Sequence, residues 1–312
     1  ILLISIAVFI IIQLPPGDWL TSYVAGLRAA GDEISPERIE ILRQRYGFNE
    51  SFTSKYFKWI SGIFKGDLGF SFSWNKPVAE LIWSRLGMTL LLSLSTLIFT
   101  WVVSFAIGLY SATHQYSIGD YIATFMGFIG LATPNFMLAL VLMYFSYEYF
   151  GYSVSGLFSY EYVNAPWSFA KIIDLLKHLW IPIVVSGTAG TAGLIRILRA
   201  NLLDEMGKPY VVTAKTKGLS NMRILFKYPV RIALIPFVST VGWTFTTLVS
   251  GSVITAIVLN LPTTGPMLLK ALKTQDMYLA GSFIFFLSIL TVIGTLVSDI
   301  LLAIVDPRIR YE

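Results

Sequence analysis

The chain lacks cysteine altogether and has only two histidines, His114 and His178. Without cysteine there are no disulfides, thiolate metal ligands or cysteine nucleophiles. Neither histidine belongs to a His-x3-His or His-Glu-x2-His pattern, so a metalloenzyme is not indicated. A Gly-x4-Gly-Lys-Ser/Thr phosphate loop and a Gly-x-Ser-x-Gly nucleophile elbow are also missing. We therefore expect no catalytic residues, no bound cofactor and no metal in this chain.

Charged residues are scarce as well. They make up 13% of the 312 residues, against roughly 25% in soluble proteins, while 55% are hydrophobic and the mean hydropathy is +0.69. Several apolar runs approach the ~20 residues needed to cross a bilayer. The sequence thus predicts an integral membrane protein. Its net charge of +5 is concentrated in one loop, which we interpret as a signal of membrane topology and not of nucleic-acid binding.

Six apolar segments predict an all-α polytopic protein with six transmembrane helices. They cover about 1–14, 88–110, 121–145, 179–198, 235–259 and 279–305. The chain begins inside the first run, without an initiator Met or a basic flank, so we interpret 1–14 as the end of a first helix whose N-terminal residues are missing. The fourth segment is rich in small residues over 186–193, which predicts an interior position.

Residues 15–87 are polar and predict a helical insertion between the first and second spans. Ser35-Pro36-Glu37 has the pattern of an N-cap, a proline at the first helical position and an early acidic residue. We expect this helix to end near Tyr46-Gly47 and a second helix to cover 54–64. The remaining residues, 88–312, form the predicted five-helix transmembrane core.

A basic loop separates the fourth and fifth spans. Between residues 208 and 231 this loop contains no Asp or Glu. Its basic residues are Lys208, Lys215, Lys217, Arg223, Lys227 and Arg231. Positive loops favour the cytoplasmic side, whereas a long region such as 15–87 carries little topological information. We therefore place this loop (200–232) and both termini in the cytoplasm, and 15–87 outside.

Part of the basic loop has the composition of a short amphipathic helix. Val211, Val212, Ala214 and Leu219 supply an apolar side, and Gly218 is suited to end the helix and turn the chain. A cytoplasmic helix-turn-helix of this kind predicts contact with a partner protein.

Few polar residues interrupt the spans. Pro134 and Asn135 predict a kink, either lining a translocation pathway or serving only helix packing. For Asp299 we favour a cap or an ion pair with Arg196, Arg199 or a loop lysine over a proton or cation site. Since other charges within the spans are nearly absent, a secondary carrier is disfavoured.

Several motifs together resemble one family. In Val212-Thr213-Ala214-Lys215-Thr216-Lys217-Gly218, Ala214 and Gly218 match the loop motif of permeases, although Val212 occupies the position of its acidic residue. Further matches occur at 66–71, 133–136 and 306–310. The chain resembles the membrane-spanning permease subunits of bacterial ABC importers, specifically the dipeptide/oligopeptide family.

The resemblance implies a type I-like permease fold in a bacterial or archaeal inner membrane, surrounded by lipid and without nucleic acid. A second, distinct permease would complete the pathway as a heterodimer, two cytoplasmic ATPase subunits would hold ATP and Mg²⁺, and an external or periplasmic binding protein would deliver substrate. The coupling segment 207–223 would dock on the ATPase. The residues expected to contact it are Pro209, Tyr210, Val211, Val212, Thr213, Ala214, Lys215, Lys217, Gly218 and Leu219.

The substrate is less clearly indicated than the architecture. Di- and oligopeptides are the prediction, and oligosaccharides or nickel ions are the alternatives within the same family. An ATP-independent carrier or channel is the alternative from another class. The basic loop favours the importer.

Overall fold

The computed structural model describes residues 2–32, 34–240, 247 and 253–305. Helices dominate this part of the chain, and its one sheet is a short antiparallel hairpin that pairs β1 (Phe70–Ser71) with β2 (Lys76–Pro77). The helices are α1 (Leu2–Gln13), α2 (Trp19–Ala29), α3 (Pro36–Arg45), α4 (Phe52–Phe64), α5 (Val78–Thr113), α6 (Ile118–Ala132), α7 (Asn135–Phe150), α8 (Phe169–Met206), α9 (Pro209–Thr216), α10 (Asn221–Lys227), α11 (Pro229–Ala233), α12 (Ile235–Ser239), α13 (Val253–Val258), α14 (Thr264–Lys273) and α15 (Met277–Val305).

Three of these helices, α5, α8 and α15, are long and apolar enough to cross a membrane. The pair α6 and α7 qualifies together as a fourth, and α1 is a shorter apolar helix. The predicted fifth span, 235–259, lies partly outside the described residues. The predicted mainly helical fold is therefore confirmed, with three apolar helices of membrane-spanning length, while the number of six spans stays a prediction.

The third predicted span is broken where a kink was expected. Helix α6 ends at Ala132 and α7 begins at Asn135, and their axes differ by 108°. Thr133 between them is extended, with ψ 122°, because proline disfavours helical backbone in the residue that precedes it. Pro134 thus interrupts the helix completely.

The chain divides into two compact units. One comprises Ile1–Thr89 with Thr263–Leu290, and the other comprises Leu90–Pro262 with Thr291–Glu312. In the first unit both predicted helices are confirmed as α3 and α4. The Ser35 hydroxyl caps α3 by accepting a hydrogen bond from the Arg38 amide at 3.3 Å. Helix α2, capped by Asp18, was not predicted.

A buried carboxylate connects the hairpin to α15 in this unit. Asp276 has no exposed surface and accepts hydrogen bonds from the Ser71 hydroxyl at 2.6 Å and the Ser73 amide at 3.0 Å. The Ser282 hydroxyl on α15 donates to the Leu68 carbonyl at 2.9 Å. These contacts explain the motif at 66–71: it fixes the insertion to the first turns of α15.

In the second unit α8 is the central helix, packing against α6, α7 and α11. Of the most apolar stretch of α8, 44% is buried, compared with 22% for α5 and 17% for α15. A Cβ on Gly187 would lie 2.8 Å from the Phe99 ring, and one on Gly130 would lie 2.6 Å from Thr188. The small residues therefore permit close helix packing, and the predicted interior position is confirmed.

Candidate coupling site after helix α8

The basic loop folds into a short helix followed by a turn, as its sequence predicts. Lys208 has extended backbone at the N-cap of α9, and Pro209 occupies the first helical position. The helix ends at Thr216, and Gly218 has φ +74°. Because residues with a side chain rarely adopt that conformation, glycine is suited to this position.

One side of α9 packs inside the loop. Val211 and Ala214 are buried and form an apolar cluster with Ile224 of α10, against which Leu219 and Tyr228 also pack. Val211 and Ala214, both predicted to contact a partner, thus hold α9 against α10 in this structure.

The opposite side of α9 is exposed. Val212 is 56% exposed, and Thr213, Lys215 and Thr216 lie on the same side of the helix. Pro209, Tyr210, Lys217 and Gly218 are exposed as well, whereas Leu219 is half-buried. An exposed valine among lysine and threonine side chains provides a surface that a protein partner can cover.

Two side-chain contacts connect α9 to the end of α8. The Lys208 ammonium lies 3.0 Å from the Asp204 carboxylate, and this hydrogen bond raises the pKa of Lys208. The Tyr210 hydroxyl donates a short hydrogen bond to Glu205. The loop is therefore attached to α8 by side-chain contacts as well as by the backbone at Gly207.

An ion pair fixes α8 to α6 about one turn before its final acidic residues. Arg199 donates to both carboxylate oxygens of Asp120, from Nε at 3.1 Å and from a terminal nitrogen at 2.9 Å. Only 4% of the Asp120 side chain is exposed, and the Tyr116 amide donates to it at 3.0 Å. Two parallel hydrogen bonds of this kind specify both distance and orientation.

Asp299 does not take part in this arrangement. Its side chain is exposed, and within the described residues it forms no ion pair. Arg199, one of its expected partners, pairs with Asp120, and the Arg196 guanidinium lies 4.8 Å from the centre of the Phe128 ring. The expected pairing with Arg199 is therefore wrong.

The candidate pathway residues lie apart from the main apolar cavity of the second unit. Pro134 is exposed and Asn135 half-buried, at the break between α6 and α7. A cavity of about 630 Å³ lies between α5, α6 and α8, and neither residue lines it. Their role in a pathway stays a prediction. Within the described residues, no cluster of three or more His, Asp or Glu side chains could hold a metal ion.

Sequence comparison decides the family. The family described as "Binding-protein-dependent transport system inner membrane component" matches residues 104–311. Its N-terminal companion, "Binding-prot-dependent transport system membrane comp, N-term", matches residues 1–94. The chain belongs to this family. It is therefore a multi-pass component of the inner membrane, in a family of permeases that are generally non-catalytic.

Curated relatives extend over nearly the whole chain. The oligopeptide transport system permease protein AppB of Bacillus subtilis is 35% identical over 99% of this chain and 94% of that protein. The dipeptide transport system permease protein DppB of Alkalihalophilus pseudofirmus is 29% identical over 98% and 94%. The glutathione transport system permease protein GsiC of Escherichia coli is 28% identical over 99% and 94%. The predicted resemblance to dipeptide/oligopeptide permeases is confirmed.

Proposed function

We propose that this chain is one permease subunit of an ATP-driven importer of short peptides. The observation that carries the proposal is the similarity to peptide permeases over 98–99% of the chain. Oligopeptide, dipeptide and glutathione transport, the activities that the relatives' names state, all concern peptides, which favours peptides over oligosaccharides or nickel. A second, related permease would complete the pathway as a heterodimer.

The exposed side of α9 is the proposed contact with the ATPase. ATP and Mg²⁺ would be held by two cytoplasmic partner subunits, whose closure would move α9. Helix α8 has 38 residues and is about 57 Å long, so displacement of its end is transmitted along a stiff element. The Asp204 and Glu205 contacts would pass the movement from α9 into α8.

The proposed topology has six spans. The basic loop and both termini would be cytoplasmic, and most of the insertion 15–87 would face the external binding protein. The distribution of lysine and arginine supports this orientation.

Reconstitution tests the function directly. The chain would be placed in vesicles with its sister permease, the ATPase subunits and the binding protein, and uptake of labelled di- and oligopeptides would be measured with and without ATP. We expect uptake that requires ATP and the binding protein. Uptake of oligosaccharide or nickel, and not of peptide, would show that the substrate belongs to one of the alternative classes. Peptide uptake without ATP would identify an ATP-independent carrier.

Val212→Asp tests the docking side of α9. Val212 contributes to no described core, so the change should preserve the fold while adding a desolvation penalty to any partner that covers it. We expect the ATPase subunits to be lost on purification. Val163→Asp is the matched control, because Val163 is 54% exposed in the segment before α8. Equal retention of the ATPase in both variants would contradict docking through α9.

Gly218→Val tests the turn that ends α9. No atom lies within 4 Å of a Cβ at this position, so the change acts through the φ of +74°. Asparagine tolerates that conformation and valine does not. We expect Gly218→Val to abolish peptide uptake and substrate-stimulated ATP hydrolysis, and Gly218→Asn to retain both. Equal activity of the two variants would rule out a role for the turn.

A further inference from the structure

Helix α4 of the insertion packs directly on two apolar helices. Phe9 of α1 contacts Phe52 and Trp59, with ring centres 5.1 and 5.5 Å apart. The Trp59 indole donates to the Ser282 hydroxyl of α15 at 3.0 Å, and its ring lies 5.9 Å from Phe285. The helix therefore lies along the sides of α1 and α15 and not beyond their ends.

The depth of these contacts follows from helix geometry. Helix α15 has 29 residues and is about 43 Å long, whereas the hydrocarbon core is about 30 Å thick, which leaves about 7 Å at each end for the headgroup region. Ser282 lies about 7.5 Å along the helix from Met277, and Phe285 about 12 Å. The Trp59 contacts therefore begin at the edge of the hydrocarbon and extend a few ångströms into it.

Helix α1, placed by its contact with α15, is contacted by α4 at the same depth. Its last residue, Gln13, donates a hydrogen bond to the Met277 sulfur at 2.7 Å, so the ends of α1 and α15 lie at one level. The Ser5 hydroxyl is 2.9 Å from the Tyr56 hydroxyl of α4. Ser5 precedes Gln13 by eight residues, again about 12 Å.

The exposed surface of α4 divides into an apolar flank and a basic flank. Phe57 and Phe64 are 66% and 78% exposed, and their spacing of seven residues places them on one flank. Lys58 and Lys65 lie about 100° further round the helix. Lys58 pairs with Glu50 and, with Lys55, lines a polar cavity of about 330 Å³. The basic flank is thus the polar side of the exposed surface.

We propose that α4 lies in the membrane interface and that phospholipid covers its apolar flank. Phe57 and Phe64 would contact acyl chains, and Lys65 would face the water next to the headgroups, as in interfacial amphipathic helices whose apolar side reaches about 5–10 Å into this boundary. Trp83 of α5 supports this depth: it is 66% exposed, and its ring lies 6.3 Å from Phe286. Exposed tryptophan is typical of the bilayer boundary.

The absence of cysteine makes single-site labelling direct. Nitroxide labels at Phe57→Cys and Phe64→Cys would be examined by electron paramagnetic resonance in the assembled transporter, in vesicles of phosphatidylethanolamine and phosphatidylglycerol. Collision rates would be measured with oxygen, which concentrates in hydrocarbon, and with a water-soluble nickel chelate. Ile10→Cys on the exposed side of α1 is the lipid reference, and Lys65→Cys on the basic flank of α4 is the aqueous control.

We expect oxygen to collide more often than the nickel chelate at Phe57 and Phe64, as at Ile10, and the order to be reversed at Lys65. More frequent nickel collisions at both phenylalanine positions would show that the flank lies in water and would overturn the proposal. Low rates with both reagents would show that a protein subunit covers it, which would also overturn the proposal. The measurement does not depend on what the transporter carries.

Discussion

The ion pair between Asp120 and Arg199 predicts unequal costs for removing its two members. Arg199→Ala leaves a carboxylate of which only 4% is exposed and which keeps the hydrogen bond from the Tyr116 amide but has no positive partner. Removing one partner of a buried pair costs about 3–5 kcal/mol. Since 30% of the Arg199 side chain reaches solvent, the lower end of that range applies, and we expect about 3 kcal/mol.

Removing the acid should cost less. In Asp120→Ala the guanidinium keeps access to water and can turn outward on its flexible side chain. The main losses are the hydrogen bonds, including the one from the Tyr116 amide, so we expect about 1–2 kcal/mol. The double variant has no buried charge left, and its cost should be below that of Arg199→Ala alone.

Unfolding in mixed micelles measures these costs. The purified chain would be titrated with denaturing detergent, and its eight tryptophans would report unfolding by fluorescence. A double-mutant cycle over the four proteins gives the coupling energy. Two results would refute the reasoning: a cost for Asp120→Ala equal to or above that of Arg199→Ala, or a double variant whose cost is the sum of the single costs.

Two further predictions concern the first unit. Gly69→Ala should reduce the free energy of unfolding by about 3 kcal/mol, because its Cβ would lie 2.6 Å from the Tyr278 ring in addition to the strain of φ +86°. At Gly66 φ is +80° and no atom lies within 4 Å of a Cβ, so Gly66→Ala should cost only about 1 kcal/mol in the same titration. Equal costs for Gly69→Ala and Gly66→Ala would contradict a steric contribution from Tyr278. The hydrogen bond from Lys58 lowers the pKa of Glu50 below its ordinary value of 4.5, so its stabilisation is present above pH 4.5 and is lost as pH falls through the lowered value. The thermal midpoint of the wild type should therefore fall more than that of Glu50→Gln on acidification below pH 4.5, and parallel curves would contradict this.

The local elements could be predicted because their signals lie within a few residues. Ser35 and Pro36 mark the start of α3 as cap and first helical residue, and the structure places both there. Gly218 marks the end of α9, and Pro134 marks the break after α6. Helix α2 was missed because its start at Asp18 follows a Pro-Pro-Gly turn and its sequence mixes apolar, polar and glycine residues without a clear period.

Contacts between distant segments could not be predicted from one sequence. Asp120 and Arg199 are 79 residues apart, and Ser71 and Asp276 are 205 apart. Each acidic residue has several arginines and lysines as possible partners in the sequence. Which of them forms the ion pair depends on which helices are neighbours in the fold. Several basic residues were chemically equivalent as partners for Asp299, so the sequence could not distinguish them. Because α6 and α8 are neighbours in the fold, Arg199 pairs with Asp120.

The same geometry explains how a short loop helix can act on a membrane helix. Glycine follows α8 at position 207, and the joint between α8 and α9 has backbone hydrogen bonds from the Gly207 and Lys208 amides to the Asp204 and Glu205 carbonyls, both at 3.2 Å. The Lys208–Asp204 ion pair and the Tyr210–Glu205 hydrogen bond bridge that joint, and the Arg199–Asp120 pair fixes α8 to α6 about one turn earlier. In the proposed function, a force on α9 would therefore reach α8 and α6 through these side chains. In that function, docking and transmission would then be separable: the exposed side of α9 would determine whether the ATPase binds, and the polar contacts around the end of α8 would determine whether its movement reaches the membrane.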